Sequence, residues 1–130
     1  MKNNFKPAGY NSLSPYFVVK DANRFVDILK SLFNAEELRR YDMPDGTIMH
    51  MEMRIDDSVI MVGESSEEFP PTQLLIHVYV PDVDDIFNKA IALGCTAVEE
   101  PKEREGDPDR RGTFKDFSGN IWSVGTQKIG

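Results

Sequence analysis

Val19-Lys20-Asp21 and Val80-Pro81-Asp82 decide how this chain folds. Each triplet closes an apolar run and then presents an aspartate. That carboxylate can accept the orphan N–H groups in the first turn of a helix. The two triplets stand 61 residues apart. After the first, Phe25, Leu29, Leu32 and Phe33 follow at i, i+4, i+7 and i+8, one apolar stripe that predicts a helix over 22–33. After the second, Val83, Phe87, Ala90 and Ile91 form a matching stripe, and Gly94 ends it as a left-handed cap. Phe25 falls on Ile86 and Leu32 on Leu93 at the same offset.

The flanks extend the match. Residues 13–19 are a short apolar run containing Pro15, which removes one ladder donor and so predicts an edge strand. Residues 36–42 read as a strand, and Pro44-Asp45-Gly46 as a turn. Residues 47–55 alternate, with Met49, Met51, Met53 and Ile55 on one face and His50, Glu52 and Arg54 on the other. Asp56-Asp57-Ser58 turns the chain into a buried strand over 59–63. In the second half, 74–80 is a strand leading to Asp82, and 113–117 with 121–126 form a hairpin through Ser118-Gly119-Asn120. Ten of the thirteen residues in 99–111 are charged, and Pro101 and Pro108 interrupt them, so that segment is expected to be an exposed loop.

Each half therefore follows the plan strand–helix–strand–strand–strand. One such unit leaves a sheet face uncovered, so two are expected to associate. The expected organisation is one domain over 1–130, with module 1 at 12–64, an acidic linker with Pro70-Pro71 at 65–72, and module 2 at 73–127. The fold class is α+β.

Composition narrows the partners. The 130 residues are 40% hydrophobic and 28% charged, enough to build a core. The formal charge of −7 repels phosphate backbones and anionic lipid, which argues against nucleic acid and membrane surfaces. The single cysteine, Cys95, cannot form an intrachain disulfide, and the first residues lack an apolar signal core; a cytoplasmic protein is expected. No phosphate-binding glycine loop and no Ser-His-Asp or Cys-His signature is present.

In order and spacing, four motifs resemble the vicinal oxygen chelate superfamily, which includes glyoxalase I, extradiol dioxygenases and bleomycin-resistance proteins. They are Pro15-Tyr16-Phe17-Val18-Val19-Lys20-Asp21, Pro44-Asp45-Gly46-Thr47-Ile48-Met49-His50-Met51-Glu52, Val80-Pro81-Asp82-Val83-Asp84 and Asp116-Phe117-Ser118-Gly119-Asn120-Ile121-Trp122. The last is similar to a closing Asp-Pro-x-Gly-x-x-Trp signature, with Phe117 in place of Pro. The resemblance is nearest to the PhnB-like branch and covers about residues 12–127. It implies paired βαβββ modules whose sheets curl around a cavity, association as a homodimer, and, in the metalloenzymes, four strands that each present one ligand to a divalent ion.

Carried over by distance from the motifs, those four positions fall on Ser14, Met61, Leu75 and Ser123. Divalent ions of this class take imidazole or carboxylate donors, and none of the four supplies one. No metal and no cofactor is therefore expected. Strand parity adds Tyr16, His77, Tyr79 and Ile121 to the same wall, an apolar surface with a few hydrogen-bonding groups suited to a small organic molecule. Simple packing of these side chains, with His77 a satisfied buried histidine, is the other reading. His50 and Glu52 can act as a base and its orienter, although a solvated or dimer-facing surface is the favoured reading. His50, His77 and Glu64 would make a relocated two-histidine, one-carboxylate set, but nothing in their spacing demands it. Arg110 and Arg111 either belong to the charged loop or close over an anion. Phe114 and Trp122 are expected in the core. Two functions stand: a metal-free protein that sequesters an antibiotic or metabolite, or a glyoxalase- or dioxygenase-like enzyme with a relocated metal or a histidine acid–base site.

Overall fold

The computed structural model describes residues 4–128. The elements run β1 (Tyr16–Val19), α1 (Ala22–Phe33), β2 (Glu36–Asp42), β3 (Ile48–Ile55), β4 (Ser58–Glu64), β5 (Leu75–Tyr79), α2 (Val83–Ala92), β6 (Thr96–Glu103), β7 (Asp109–Lys115) and β8 (Ile121–Gln127). The contacts divide the chain into two compact units, with the boundary between Pro71 and Thr72. Each unit is a four-stranded mixed sheet with one helix. The strand orders are β1-β4-β3-β2 and β5-β8-β7-β6, so the same topology occurs twice. In each, the first strand runs parallel to the last, and the remaining pairings are antiparallel.

Both helices begin where the two aspartates require. Asp21 accepts the N–H of Arg24 at 3.4 Å, and Asp82 accepts that of Asp85 at 3.2 Å. The first helix has a second cap: the Glu64 carboxylate at the end of β4 accepts from Asp21 N at 2.8 Å and Ala22 N at 2.9 Å. A carboxylate there meets both the unsatisfied donors and the positive end of the helix dipole.

The first unit buries Phe17 and Val19 of β1, Met51 and Met53 of β3, and Ile60 and Val62 of β4 on its helix side. Phe17 meets Phe25 of α1 with ring centroids 5.1 Å apart. In the second unit Phe114, Trp122 and Val124 are buried, and Phe114 meets Phe87 of α2 at 6.4 Å. Phe114 and Trp122 are thus core residues, as their apolar bulk suggested.

The closing motif is a buried hydrogen-bond knot. One Asp116 carboxylate oxygen accepts the N–H groups of Ser118 at 2.9 Å and Asn120 at 3.0 Å; the other accepts Trp122 Nε1 at 2.9 Å and Asn120 Nδ2 at 3.2 Å. The Asn120 side-chain oxygen Oδ1 in turn accepts Leu74 N at 2.9 Å, tying the turn to the start of β5. Gly119 holds φ 91°, a left-handed conformation that favours glycine, and a Cβ there would push the Gln73 side chain aside. The aspartate, asparagine and tryptophan of the motif therefore serve the fold.

Several expectations are corrected. The 99–111 segment is not a loop: it holds the end of β6 and the start of β7, with only residues 104–108 between them. Charge misled because β6 is a sheet edge, where charged side chains are tolerated and discourage edge-to-edge pairing. Pro101 fits because it lies in the register shift between Glu99 and Lys102. Strand β1 starts at Tyr16, after Pro15, and is itself an edge, with Pro15 contributing only its carbonyl, to Met61 N at 3.0 Å. The stripe of α2 is Val83, Ile86, Phe87 and Ala90; Ile91 lies off it and is exposed, and Leu93 is exposed just past the helix end at Ala92. Met49, expected with the buried methionines, is exposed at the start of β3.

Candidate functional site

Within its own unit, each sheet turns one face to its helix and leaves the other open. On the open face of the first, β1 and β3 flank β4, and the register aligns Tyr16, Met61 and Glu52 in one row. Tyr16 lies across β4 above Gly63, where a Cβ would stand 2.9 Å from its hydroxyl. That gap lets the ring reach His50 on β3. The Tyr16 hydroxyl and His50 Nδ1 are 2.9 Å apart, and His50 Nε2 is 2.8 Å from Glu52 Oε2. Tyr10, in the segment before β1, donates to Glu52 Oε1 at 2.6 Å, and Arg39 of β2 places its Nε 3.6 Å from the same oxygen. Tyr41 stacks beside the imidazole, with centroids 6.3 Å apart.

This arrangement overturns the solvated reading of Glu52, while His50 keeps 27% of its side chain exposed. Glu52 is only 6% exposed. Tyr10 and Arg39 cover it, and neither contact is local in sequence. Burial alone would raise the Glu52 pKa, but the hydrogen bonds from Tyr10 and His50 and the charge of Arg39 together hold it below the ordinary glutamate value. Tyr16 is shifted upward, first by burial and then by the Glu52 charge. An ionised Glu52 can only accept, so the imidazole proton sits on Nε2. In a neutral imidazole Nδ1 is then an acceptor, and Tyr16 donates to it.

The open face of the second sheet carries Leu75, His77 and Tyr79 of β5 beside Ile121 and Ser123 of β8, with Leu75 paired to Ile121 and His77 to Ser123. Leu75 and Tyr79 are exposed, and Ile121 and Ser123 are half-buried. His77 packs edge-on against Tyr79 at 4.7 Å, and burial followed by the Arg111 charge lowers its pKa. Tyr79 donates to Asp109 Oδ2 at 2.7 Å, and Arg111 reaches Asp109 at 2.8 Å and Asp107 at 2.9 Å. Arg110 grips both carboxylate oxygens of Asp84 at 2.8 and 2.9 Å. Both arginines are thus engaged in ion pairs within the second unit, and neither stands in a flexible loop.

Of the residues read from sequence, Tyr16 and Met61 share one open face, and Leu75, His77, Tyr79, Ile121 and Ser123 share the other; Ser14 is half-buried just before β1. Two carboxylate clusters escaped that reading, Glu52 with Tyr10 and Asp109 with Tyr79 and Arg111. The parity of Glu52 with Met61 across β3 and β4 was the available signal for the first.

The residues do not fit the superfamily's divalent ion. Ser14, Met61, Leu75 and Ser123 offer two hydroxyls, a thioether and an alkyl group, which leave a dication's charge unbalanced. Among the described residues no group of three or more His, Cys, Asp or Glu side chains is arranged to hold a metal. Glu64 of the relocated set spends both oxygens on the α1 terminus, and His50 has both nitrogens bonded. No described helix is long and apolar enough to cross a membrane.

Comparison with known proteins agrees with this architecture. An uncharacterised protein of Mycobacterium bovis is 34% identical over 133 aligned positions, covering 94% of this chain and 84% of its own length. The crystal structure of TioX from Micromonospora sp. ML1 superposes with a TM-score of 0.75 at 23% identity, covering 91% of this chain and 99% of its own. The fosfomycin resistance protein FosX from Listeria monocytogenes, solved with Mn(II) and sulfate, gives 0.70 at 21% identity, covering 92% and 91%. Both solved structures share the fold. The model of the Glyoxalase/Bleomycin resistance protein/Dioxygenase superfamily matches residues 11–124, nearly the whole of the paired βαβββ plan, and the chain belongs to that superfamily.

Proposed function

We propose that this protein binds a small organic molecule on its open sheet faces without a divalent metal, and that it sequesters an antibiotic or a metabolite. The observation that supports this most directly is the donor set. The positions that the superfamily resemblance assigns to metal ligands are Ser14, Met61, Leu75 and Ser123, while the strands beside or carrying them keep Tyr16, His77 and Tyr79 on the same faces. Apolar area with a few fixed hydrogen-bonding groups suits an organic ligand. The eight residues Ser14, Tyr16, Met61, Leu75, His77, Tyr79, Ile121 and Ser123 are the proposed contacts. The net charge of −7 favours a cationic or neutral ligand over an anionic one. By superfamily resemblance the protein is a homodimer nearest the PhnB-like branch; its charge and single cysteine suit the cytoplasm.

Thermal unfolding in metal-free buffer tests the proposal, with bleomycin as a cationic glycopeptide, fosfomycin as an anionic phosphonate, and a panel of neutral aromatic compounds. A ligand at a hundred times its Kd stabilises a fold by about 2.7 kcal/mol. For a chain of this size that is a rise on the order of 10 °C. Stabilisation by a cationic or neutral compound that persists in chelator is expected. Stabilisation only when a divalent ion is added, or by no compound at all, contradicts the proposal. A relocated-metal enzyme would instead show turnover that chelator abolishes. A metal-free acid–base reading is favoured by one observation, the Tyr16–His50–Glu52 chain.

A further inference from the structure

We infer that Tyr16, His50 and Glu52 form a proton relay whose outer member, the Tyr16 hydroxyl, takes a proton from a neutral ligand bound on the open face of the first sheet. Three features carry the inference. The chain of bonds is continuous, from Tyr16 Oη to His50 Nδ1 at 2.9 Å and from His50 Nε2 to Glu52 Oε2 at 2.8 Å. It runs from a buried carboxylate, 6% exposed, through a part-exposed imidazole to a phenol that is 39% exposed, so the outer end is the most open to a ligand. The sheet is also built to allow it: a side chain at Gly63 would meet the Tyr16 hydroxyl at 2.9 Å and the Met49 carbonyl at 3.0 Å.

The transfer balances within the site. The ligand's O–H proton moves to Tyr16 Oη as the Tyr16 proton moves to His50 Nδ1. The product is a ligand oxyanion facing a neutral tyrosine, with an imidazolium paired to the Glu52 carboxylate. Burial and the Glu52 charge raise the Tyr16 pKa, so the phenol does not ionise alone; its proton needs an acceptor already in place, and His50 is that acceptor. The negative charge of Glu52 disfavours an anion beside Tyr16, and Val18 and Met61 share its face, so the ligand class is a neutral, largely apolar molecule with one acidic hydroxyl, an enol or a phenol. That ligand class rests on the binding reading above; the relay itself does not.

Acetylation by N-acetylimidazole tests the relay without any natural ligand. The Tyr16 oxygen attacks the acetyl carbon as its proton passes to His50; the acetyl C–N bond then breaks, the departing imidazole nitrogen takes a proton from solvent, and His50 releases its own to solvent. Exposure alone predicts that Tyr41, 56% exposed, reacts first. The relay predicts that Tyr16 reacts first at pH 7.5, and that His50→Gln slows it about tenfold or more while Tyr41 keeps its rate. Glu52→Gln, which changes a positioning residue and moves the imidazole proton to Nδ1, takes the acceptor away from Tyr16 and slows it as well. In the wild-type protein the Tyr16 rate should change little between pH 7.5 and 9, where acetylation of a free phenol climbs as phenolate forms; this readout needs no variant to fold. Tyr16 acetylation that is slower than that of Tyr41, follows the same pH rise, or is indifferent to His50→Gln overturns the relay. Those results would leave ligand-induced thermal stabilisation untouched, so the two proposals fail separately.

Discussion

Replacing Glu52 by Gln keeps the side chain's shape and removes one charge from beneath the open face of the first sheet. The carboxylate accepts from Tyr10 at 2.6 Å and His50 at 2.8 Å and lies 3.6 Å from Arg39. An amide has one oxygen for those donors and turns its NH2 toward the other. If Tyr10 keeps the oxygen, the amide donates to His50 Nε2, which forces the imidazole proton to Nδ1 and reverses the bond to Tyr16. Hydrogen bonds to a charged group contribute roughly 1.5–3 kcal/mol each. One weakened bond and one reversed chain give an expected loss of about 2–3 kcal/mol for Glu52→Gln. Urea unfolding followed by far-UV circular dichroism at pH 7 reads the stability, and 15N shifts of the imidazole read the tautomer. The pH dependence follows from the depressed Glu52 pKa. Its contribution is present above the unfolded-state value near 4.5 and is lost as pH falls through the folded-state value, so the wild-type advantage over the variant shrinks below about pH 4.5. A variant within 0.5 kcal/mol of wild type, with an unchanged tautomer, would show Glu52 to be an ordinary solvated carboxylate.

Three further outcomes are expected. Asp116→Ala leaves the indole N–H of Trp122 and two backbone N–H groups without their buried acceptor, and should cost about 3–5 kcal/mol, read from the urea midpoint by Trp122 fluorescence; a loss under 1 kcal/mol would contradict the knot. Glu64→Ala uncaps α1 and should cost about 1–2 kcal/mol in a calorimetric scan, with Glu64→Gln recovering part of it. The lowered His77 pKa means that the unfolded chain takes up a proton first as pH falls below about 6.5. Stability should therefore decline through that range and then level off, and His77→Gln should flatten the profile; an identical slope in the variant would refute the assignment.

The repeat was legible because its signals are local. An aspartate before a 3.6-residue stripe states its own helix, and α1 begins and ends where the spacing of Phe25, Leu29, Leu32 and Phe33 requires. The second hairpin was legible through its turn residues Ser118-Gly119-Asn120. What escaped was set by position in the sheet. Strand β6 is dense in charge because its edge place tolerates charge, and composition cannot distinguish that from a loop. The alternation in β3 placed Glu52 opposite the methionines correctly, but alternation says nothing of what arrives from elsewhere. Tyr10, 42 residues away in the chain, is what buries it. His50 was ambiguous for the same reason: its partner Tyr16 lies two strands over, visible only once β4 and Gly63 stand between them.

The account turns on the side chains at the four aligned ligand positions, and a calorimetric titration of the untagged protein with Mn(II), Zn(II) and Ni(II), paired with elemental analysis after chelator-free purification, tests it most directly. The account predicts metal content far below one per chain and no stoichiometric heat. One divalent ion bound tightly per chain, with its affinity lost on mutating His50, His77 or Glu64, would contradict it.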